Sequence, residues 1–314
     1  MKKAIIVGYT GQDGAYLSQL LTKKKYELFG VSSKSVSKNN YGIKAMDVRE
    51  MSQVEDIVQK IKPDEVYFLA AVHQSSVDRP VEDGELFQKS IDLNVKALIN
   101  FLESIRKFSP QTKLFYAASS HIFGDPLNWP QDELSPFNPD CIYGITKTAG
   151  VRTCHFYKDN HGLFACVGIF YNHESPLRAS KYVSKKIVET AIAIKKGKDS
   201  KLILGNLESK VDWGYSPDYV LAAHKIMQLP RAEDFIISSG EVHTIKDFVE
   251  AVFSYLGLEW QKYVLVNSSL ITKKQKVNLY GDNRKIHKTT GWSPSVNFKQ
   301  LVKILVDEEL KQIG

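Results

Sequence analysis

The chain has 314 residues, 43% of them hydrophobic and 25% charged, as in an ordinary globular protein long enough for one large α/β body and a smaller lobe. Its 42 basic and 35 acidic side chains leave a net charge of +7, but the lysines fall in short scattered groups without a recognition motif, so nucleic acid is excluded as a partner in favour of an anionic small molecule. No apolar stretch approaches the roughly 18 residues of a membrane span, and Cys141, Cys154 and Cys166 lack metal or disulfide spacing, so a cytoplasmic protein with free thiols, no metal and no membrane partner is expected.

Met1-Lys2-Lys3 before an apolar run has the look of a signal peptide, yet the run stops at Gly8 and reads as a buried first strand, 4–7. Gly8-x-x-Gly11-x-x-Gly14 then leads into an apolar helical pattern at 16–21. In a strand–turn–helix, glycines let the backbone approach a pyrophosphate while the helix N-terminus faces its charge. Gly8, Thr10, Gly11, Gln12, Asp13 and Gly14 are therefore candidate cofactor residues.

A second strand at 27–32 ends near Ser33-Lys34, which is neither the acid that accepts NAD ribose hydroxyls nor the arginine that favours NADP. Asp47-Val48, after a short third strand, suits an adenine edge. A helix at 51–60 precedes a strand at 65–70, where Leu69-Ala70-Ala71 leaves room for cofactor backbone. A helix at 91–108, a strand at 113–118, a helix at 143–160 and a strand at 163–170 continue the alternation. Repeated β–α–β units predict an α/β fold, a doubly wound parallel sheet covered on both faces.

Beyond 172 the regularity weakens. Segments 213–227 and 234–239 are expected to return to the core, while 172–196, 204–212 and 242–279 form a smaller lobe over the C-terminal strand ends. The expected division is a dinucleotide-binding domain, 1–171 with 213–240, and an interleaved C-terminal substrate lobe, 172–212 with 241–314.

Tyr143 and Lys147 stand four apart on one helix and so face the same way. A cationic lysine there lowers the phenol's pKa and makes it an acid/base, while Lys147 also holds the nicotinamide ribose. Ser119 or Ser120, at a strand end, can hydrogen-bond the reacting oxygen. In this order and spacing the glycines, serines, tyrosine and lysine resemble the extended short-chain dehydrogenases/reductases, which implies a Rossmann-type sheet and NAD(P).

More specific segments are Gly11-Gln12-Asp13-Gly14-Ala15-Tyr16-Leu17, Asn172-His173-Glu174-Ser175-Pro176, Leu204-Gly205-Asn206-Leu207, Asp212-Trp213-Gly214 and Ser239-Gly240-Glu241 with His243. Through nearly its whole length the chain is similar to the GDP-mannose 4,6-dehydratase family. That resemblance implies an enzyme that oxidises C4 of a GDP-linked hexose, with Tyr143, Lys147 and Ser119 assisting. It also implies a polysaccharide-precursor role and a homo-oligomer, dimer or tetramer. Asn172, Val183 and Lys186 match nucleotide-contacting positions, and Glu174, Ser175, Gly205, Asn206 and Trp213 lie in the motifs expected around the substrate.

Departures from the family pattern redirect the expectation. The catalytic glutamate, base at C5 and acid at C6, is replaced by His121 in Ser119-Ser120-His121. Histidine titrates near pH 6.5 and can in principle do both tasks, or can bind sugar without catalysing. The arginine pair after the second strand is Ser33-Lys34, which tips the expectation towards NAD. Val211 and the region of Thr272-Lys273 lack further arginines, for which Arg178, Lys186 and Lys210 can compensate. The expected activity is hydride transfer at C4 of a GDP-linked mannose or manno-heptose without efficient dehydration. Alternatives are a 4,6-dehydratase using His121, an epimerase, and a non-catalytic nucleotide-sugar-binding relative.

Overall fold

The computed structural model describes residues 1–32, 44–73, 81–126, 128–198, 200–267 and 279–313. The first half runs β1 (Lys3–Val7), α1 (Gln12–Lys23), β2 (Glu27–Ser32), β3 (Lys44–Ala45), α2 (Met51–Ile61), β4 (Glu65–Phe68), α3 (Asp83–Ile91), α4 (Ala97–Phe108), β5 (Lys113–Ser119), α5 (Ile142–His161) and β6 (Ala165–Phe170). The second half runs β7 (His173–Glu174), α6 (Val183–Lys195), β8 (Leu202–Leu204), β9 (Lys210–Val211), β10 (Gly214–Tyr215), α7 (Ser216–Met227) and β11 (Asp234–Ile237). It ends with β12 (His243–Thr244), α8 (Ile245–Tyr255), β13 (Val264–Val266), α9 (Arg284–Thr290) and α10 (Phe298–Ile313).

Seven strands form one sheet in the order β11-β6-β5-β4-β1-β2-β3, every pair parallel. The chain winds one way from β1 to β3 and the other way from β4 to β11, so the order reverses between β1 and β4. A crevice outside the strand ends at such a reversal is where ligands bind in open α/β sheets. β4 and β6 are buried along their whole length because helices cover both faces. One face packs Val54, Ile57, Phe101 and Leu102 of α2 and α4 with Val151 and Cys154 of α5. The other packs Leu17 and Leu21 of α1 with Tyr219, Val220 and Ile226 of α7.

A third core joins Ile187 and Ile192 of α6, Phe248 and Val252 of α8, and Leu301 and Leu305 of α10. It belongs to the lobe built after β6. The short pairs β7·β10, β9·β12 and β8·β13 lie outside the main sheet.

Two elements differ from expectation. The strand expected at 65–70 stops at Phe68, which leaves Leu69, Ala70 and Ala71 in the turn beyond it. The helix expected from 91 begins at Asp83 and passes through a π-turn, Asp92–Lys96, before α4. In α3 the sole buried residue is Ser90, so its sequence carries no apolar stripe to read.

Candidate functional site

The glycine loop joins β1 to α1 at the reversal point. Gly8 has φ +91°, and a Cβ there would lie 2.7 Å from Ala70 N. A Cβ on Gly14 would lie 2.4 Å from Gly8 O and 2.7 Å from the Tyr9 Cα. Bare backbone at the first turn of a 12-residue helix, with no side-chain N-cap at Gly11, fits a dinucleotide pyrophosphate. Thr10 and Gly11 are exposed at the rim, and Leu69, Ala70 and Ala71 are half-buried beside it.

Asp47 and Val48 follow β3 at the far edge of the sheet. Arg49 forks the Asp47 carboxylate at 2.8 and 2.6 Å, and that hydrogen bonding holds Asp47 below its usual value. Val48 is buried, and its carbonyl accepts from Asn100 Nδ2 at 3.0 Å. Ser33 and Lys34 lie outside the described residues.

The chemistry-bearing residues converge at the ends of β4 and β5. Ser119 caps a 3-10 turn, Ser120–Phe123, accepting from His121 N at 3.3 Å; Ser120 is buried within that turn. Burial pushes the Tyr143 phenol above its ordinary value, and a hydrogen bond with Ser119 works in the opposite direction. Lys147 is 1% exposed, and its Nζ donates to Ala117 O at 2.7 Å, lying 4.8 Å from the Tyr116 ring centroid and 5.8 Å from that of Tyr143. Burial pushes the Lys147 ammonium down to about 7. Against the burial of Tyr143, Ser119 and Arg178 ease its ionisation.

His121 faces this tyrosine with ring centroids 5.8 Å apart and an interplanar angle of 76°, and its Nδ1 lies 3.8 Å from Cys141 Sγ. A second imidazole was not foreseen. His73 meets Tyr143 edge-on at 4.8 Å and 89° and lies 6.4 Å from His121. Tyr182 stacks on His73 at 6.0 Å, with its hydroxyl 3.4 Å from His73 Nδ1, and the Arg178 guanidinium covers Tyr182 at 3.5 Å. Arg178 in turn pairs with the buried Glu174 at 3.2 Å. His73 sits past the end of β4, where no periodicity marks a residue; only its closeness to the small-residue turn at Leu69-Ala70-Ala71 could have suggested it.

The other substrate candidates are spread along the lobe. Ser175 is fully buried and donates to Gln12 Oε1 at 2.7 Å, so it braces the glycine loop. Asn172 is exposed beyond β6, and its carbonyl accepts from Gly214 N at 2.8 Å. Val183 opens α6 at the surface, and Lys186 Nζ donates to Ile203 O at 2.8 Å. Gly205 and Asn206 form the turn after β8, where Asn206 Oδ1 accepts from Glu208 N at 2.9 Å. Lys210 lines a separate open cleft of about 330 Å³ with Trp129, Val242 and Tyr280. Trp213 is 3% exposed and packs on Phe248 at 4.9 Å within the lobe core, so its indole supports the lobe from inside. Among the described residues no cluster of metal-ligating side chains occurs, and no helix is long and apolar enough to cross a membrane.

A family profile described as GDP-mannose 4,6 dehydratase matches residues 5–305. GDP-mannose 4,6 dehydratase 2 of Arabidopsis thaliana is 36% identical, over 99% of this chain and 87% of that protein. The GDP-mannose 4,6-dehydratase of Vibrio cholerae is 29% identical over 99% of this chain and 94% of its own length. UDP-glucose 4-epimerase of Thermotoga maritima superposes with a TM-score of 0.87 at 20% identity, covering 99% of this chain and all (100%) of that one. A dTDP-glucose 4,6-dehydratase of Bacillus anthracis in complex with NAD superposes at 0.82 and 18% identity, over 99% and 97%. A Pseudomonas aeruginosa protein, RMD, complexed with NADPH, also gives 0.82 at 18% identity, over 99% and 100%. At these identities the solved structures speak for the fold alone.

Proposed function

The chain belongs to the GDP-mannose 4,6-dehydratase family, and on that premise we propose that it is an NAD(P)-dependent enzyme oxidising C4 of a GDP-linked mannose or manno-heptose. The observation that carries this reading is the convergence of Ser119, Tyr143 and Lys147 beside a glycine cradle that only bare backbone can form. The cradle fits a nicotinamide dinucleotide, which when bound supplies a hydride acceptor. Tyr143, as phenolate, takes the C4 hydroxyl proton while the C4 hydride departs. Ser119 donates a hydrogen bond to that oxygen. Lys147 holds the ribose side and, once charged, offsets the burial that disfavours Tyr143 ionisation. Ser33-Lys34 in place of an arginine pair supports NAD over NADP.

His121 in place of the family glutamate supports a reaction that ends at the C4 ketone. A second reading rests on the two imidazoles edge-on to Tyr143. With C5 acidified by the ketone, one ring would remove the C5 proton while the other protonates the C6 hydroxyl, which leaves as water. As the hydride returns to C6, the first ring would give its proton back to C5. Mass spectrometry of GDP-mannose and of GDP-linked manno-heptose after incubation separates the readings. Loss of two hydrogens with reduced cofactor is the expected result. Loss of one water moves the assignment to the imidazole pair, and an unchanged mass with a shifted chromatographic retention moves it to an epimerase. Unchanged mass and retention for both substrates overturn the enzymatic reading in favour of a nucleotide-sugar-binding relative.

A further inference from the structure

The glycine loop is held from the side by a residue outside the catalytic group. His173 Nδ1 lies 2.7 Å from the Tyr171 carbonyl oxygen, and Nε2 lies 2.9 and 3.0 Å from the two Asp13 carboxylate oxygens. A carbonyl oxygen only accepts, and so does the Asp13 carboxylate, which is held ionised below its ordinary value; both ring nitrogens therefore carry hydrogen and the ring is an imidazolium. The pair is enclosed: the His173 side chain is 12% exposed and that of Asp13 is 22% exposed. Tyr219 stacks on the ring at 4.6 Å and 28°. The same loop makes three more bonds with residues around the pair. Ser216 Oγ donates to Asp13 at 2.7 Å, Ser175 Oγ donates to Gln12 at 2.7 Å, and Gln12 Nε2 donates to His173 O at 3.2 Å.

We propose that His173 is a positioning residue whose imidazolium pins Asp13, and with it the glycine loop, to the 173–177 segment, so that dinucleotide and nucleotide-sugar binding are linked. A pinned loop presents its backbone N–H groups already ordered, whereas a released loop must be ordered by the incoming ligand. The segment on the other side carries Glu174, which pairs with Arg178 just beyond it and so leads through Tyr182 to His73 and Tyr143. A ligand that orders either side therefore favours the other, and the linkage is reciprocal.

The charged groups around the ring give the pH sign. Burial disfavours the imidazolium and the Arg178 charge opposes it, but the Asp13 charge and hydrogen bond outweigh both and hold His173 above its ordinary 6.5. Burial likewise acts to raise Asp13, and the His173 charge with the bonds from His173 and Ser216 carries it below its ordinary 3.8. Tyr219 is held neutral by burial, and Glu174 is engaged by Arg178. A raised histidine contributes in full below pH 6.5, and its contribution is lost as pH rises through its folded value.

The inference rests on the glycine loop holding the dinucleotide, and calorimetry with NAD, NADP and GDP tests it. His173→Asn and Asp13→Asn should each weaken dinucleotide binding about tenfold, with the double variant little weaker than either. Saturating GDP should tighten dinucleotide binding at least about fivefold in the wild type and hardly at all in His173→Asn. The wild-type affinity should decline from pH 7 to 9 more steeply than that of His173→Asn, which keeps only the fall that loss of the Lys147 charge brings. Multiplying losses in the double variant, or an unchanged pH profile in His173→Asn, overturns the clamp. If the wild type binds neither dinucleotide, the reading of the glycine loop fails separately. The ligand-free melting difference between wild type and His173→Asn then decides the pair, because it must shrink as pH rises. Asp13→Asn gives the same readings if His173→Asn does not fold.

Discussion

At the scale of single residues, the proposed catalytic group carries its own cost. Lys147 is buried against Tyr116 and the Ala117 carbonyl, and burial lowers its ammonium from 10.5 to about 7. A base with a depressed folded value binds fewer protons when folded, so its destabilisation is complete below about pH 7 and vanishes above 10.5. Lys147→Met removes that charge and gives up one hydrogen bond worth about 1 kcal/mol. Ligand-free Lys147→Met should therefore melt several degrees higher than the wild type at pH 6, converge with it towards pH 10, and have no turnover. A lower melting temperature at pH 6 would show that the ammonium is satisfied where it lies. Tyr143→Phe keeps the ring contacts with His73 and His121 and removes the hydroxyl. It should lower turnover by about 10²–10⁴-fold with substrate affinity retained, measured by steady-state kinetics and direct binding. Retained turnover would remove Tyr143 from the mechanism. The glycine, serine, tyrosine and lysine positions are legible in sequence because local geometry dictates them. The Asp13–His173 pair is not, because its partners are 160 residues apart and meet only through the sheet's winding.

At the scale of elements, the alternation of short apolar strands with amphipathic helices announced the sheet, since strands buried on both faces must be apolar throughout. The π-turn between α3 and α4 had no such signal, because it is set by tertiary partners. Asn94, fully buried within it, accepts from Val72 N at 3.0 Å and donates to Thr146 Oγ1 at 3.0 Å. One amide thus fixes the residue before His73 and the helix that presents Tyr143. π-turns are frequent at functional sites, where a displaced turn re-aims a side chain. Asn94→Leu leaves the Val72 N–H without this acceptor and should cost about 1–3 kcal/mol in urea unfolding. If the turn positions the site, turnover should fall well beyond what instability explains, with the folded fraction checked by circular dichroism at the assay temperature. Full activity in the folded variant would make the turn a packing feature only.

At the scale of the whole molecule, two cores sandwich the sheet and a third fills the lobe, so the connections between them decide whether the protein opens as one unit. Asp218 of α7 is a principal connection. Its carboxylate accepts from Ser295 N at 2.8 Å, Ser295 Oγ at 2.6 Å and Val296 N at 3.2 Å, while its backbone carbonyl accepts from Trp292 Nε1 at 2.9 Å. These bonds fix the approach to α10, which closes the lobe core against α6 and α8. Asp218 is buried, and removing its carboxylate leaves the backbone N–H groups of Ser295 and Val296 without this acceptor. Asp218→Ala should then loosen the lobe selectively. Amides of α8 and α10 should exchange roughly 10–100 times faster by hydrogen–deuterium mass spectrometry, corresponding to about 1–3 kcal/mol, while those of β5 and β6 keep their protection. Saturating GDP should restore much of that protection if the lobe carries the nucleotide subsite, because a ligand bound only to the closed lobe stabilises it by mass action. Equal acceleration in β5, β6, α8 and α10 would mean that the cores open together, and the lobe would then have no independent motion with which to admit substrate.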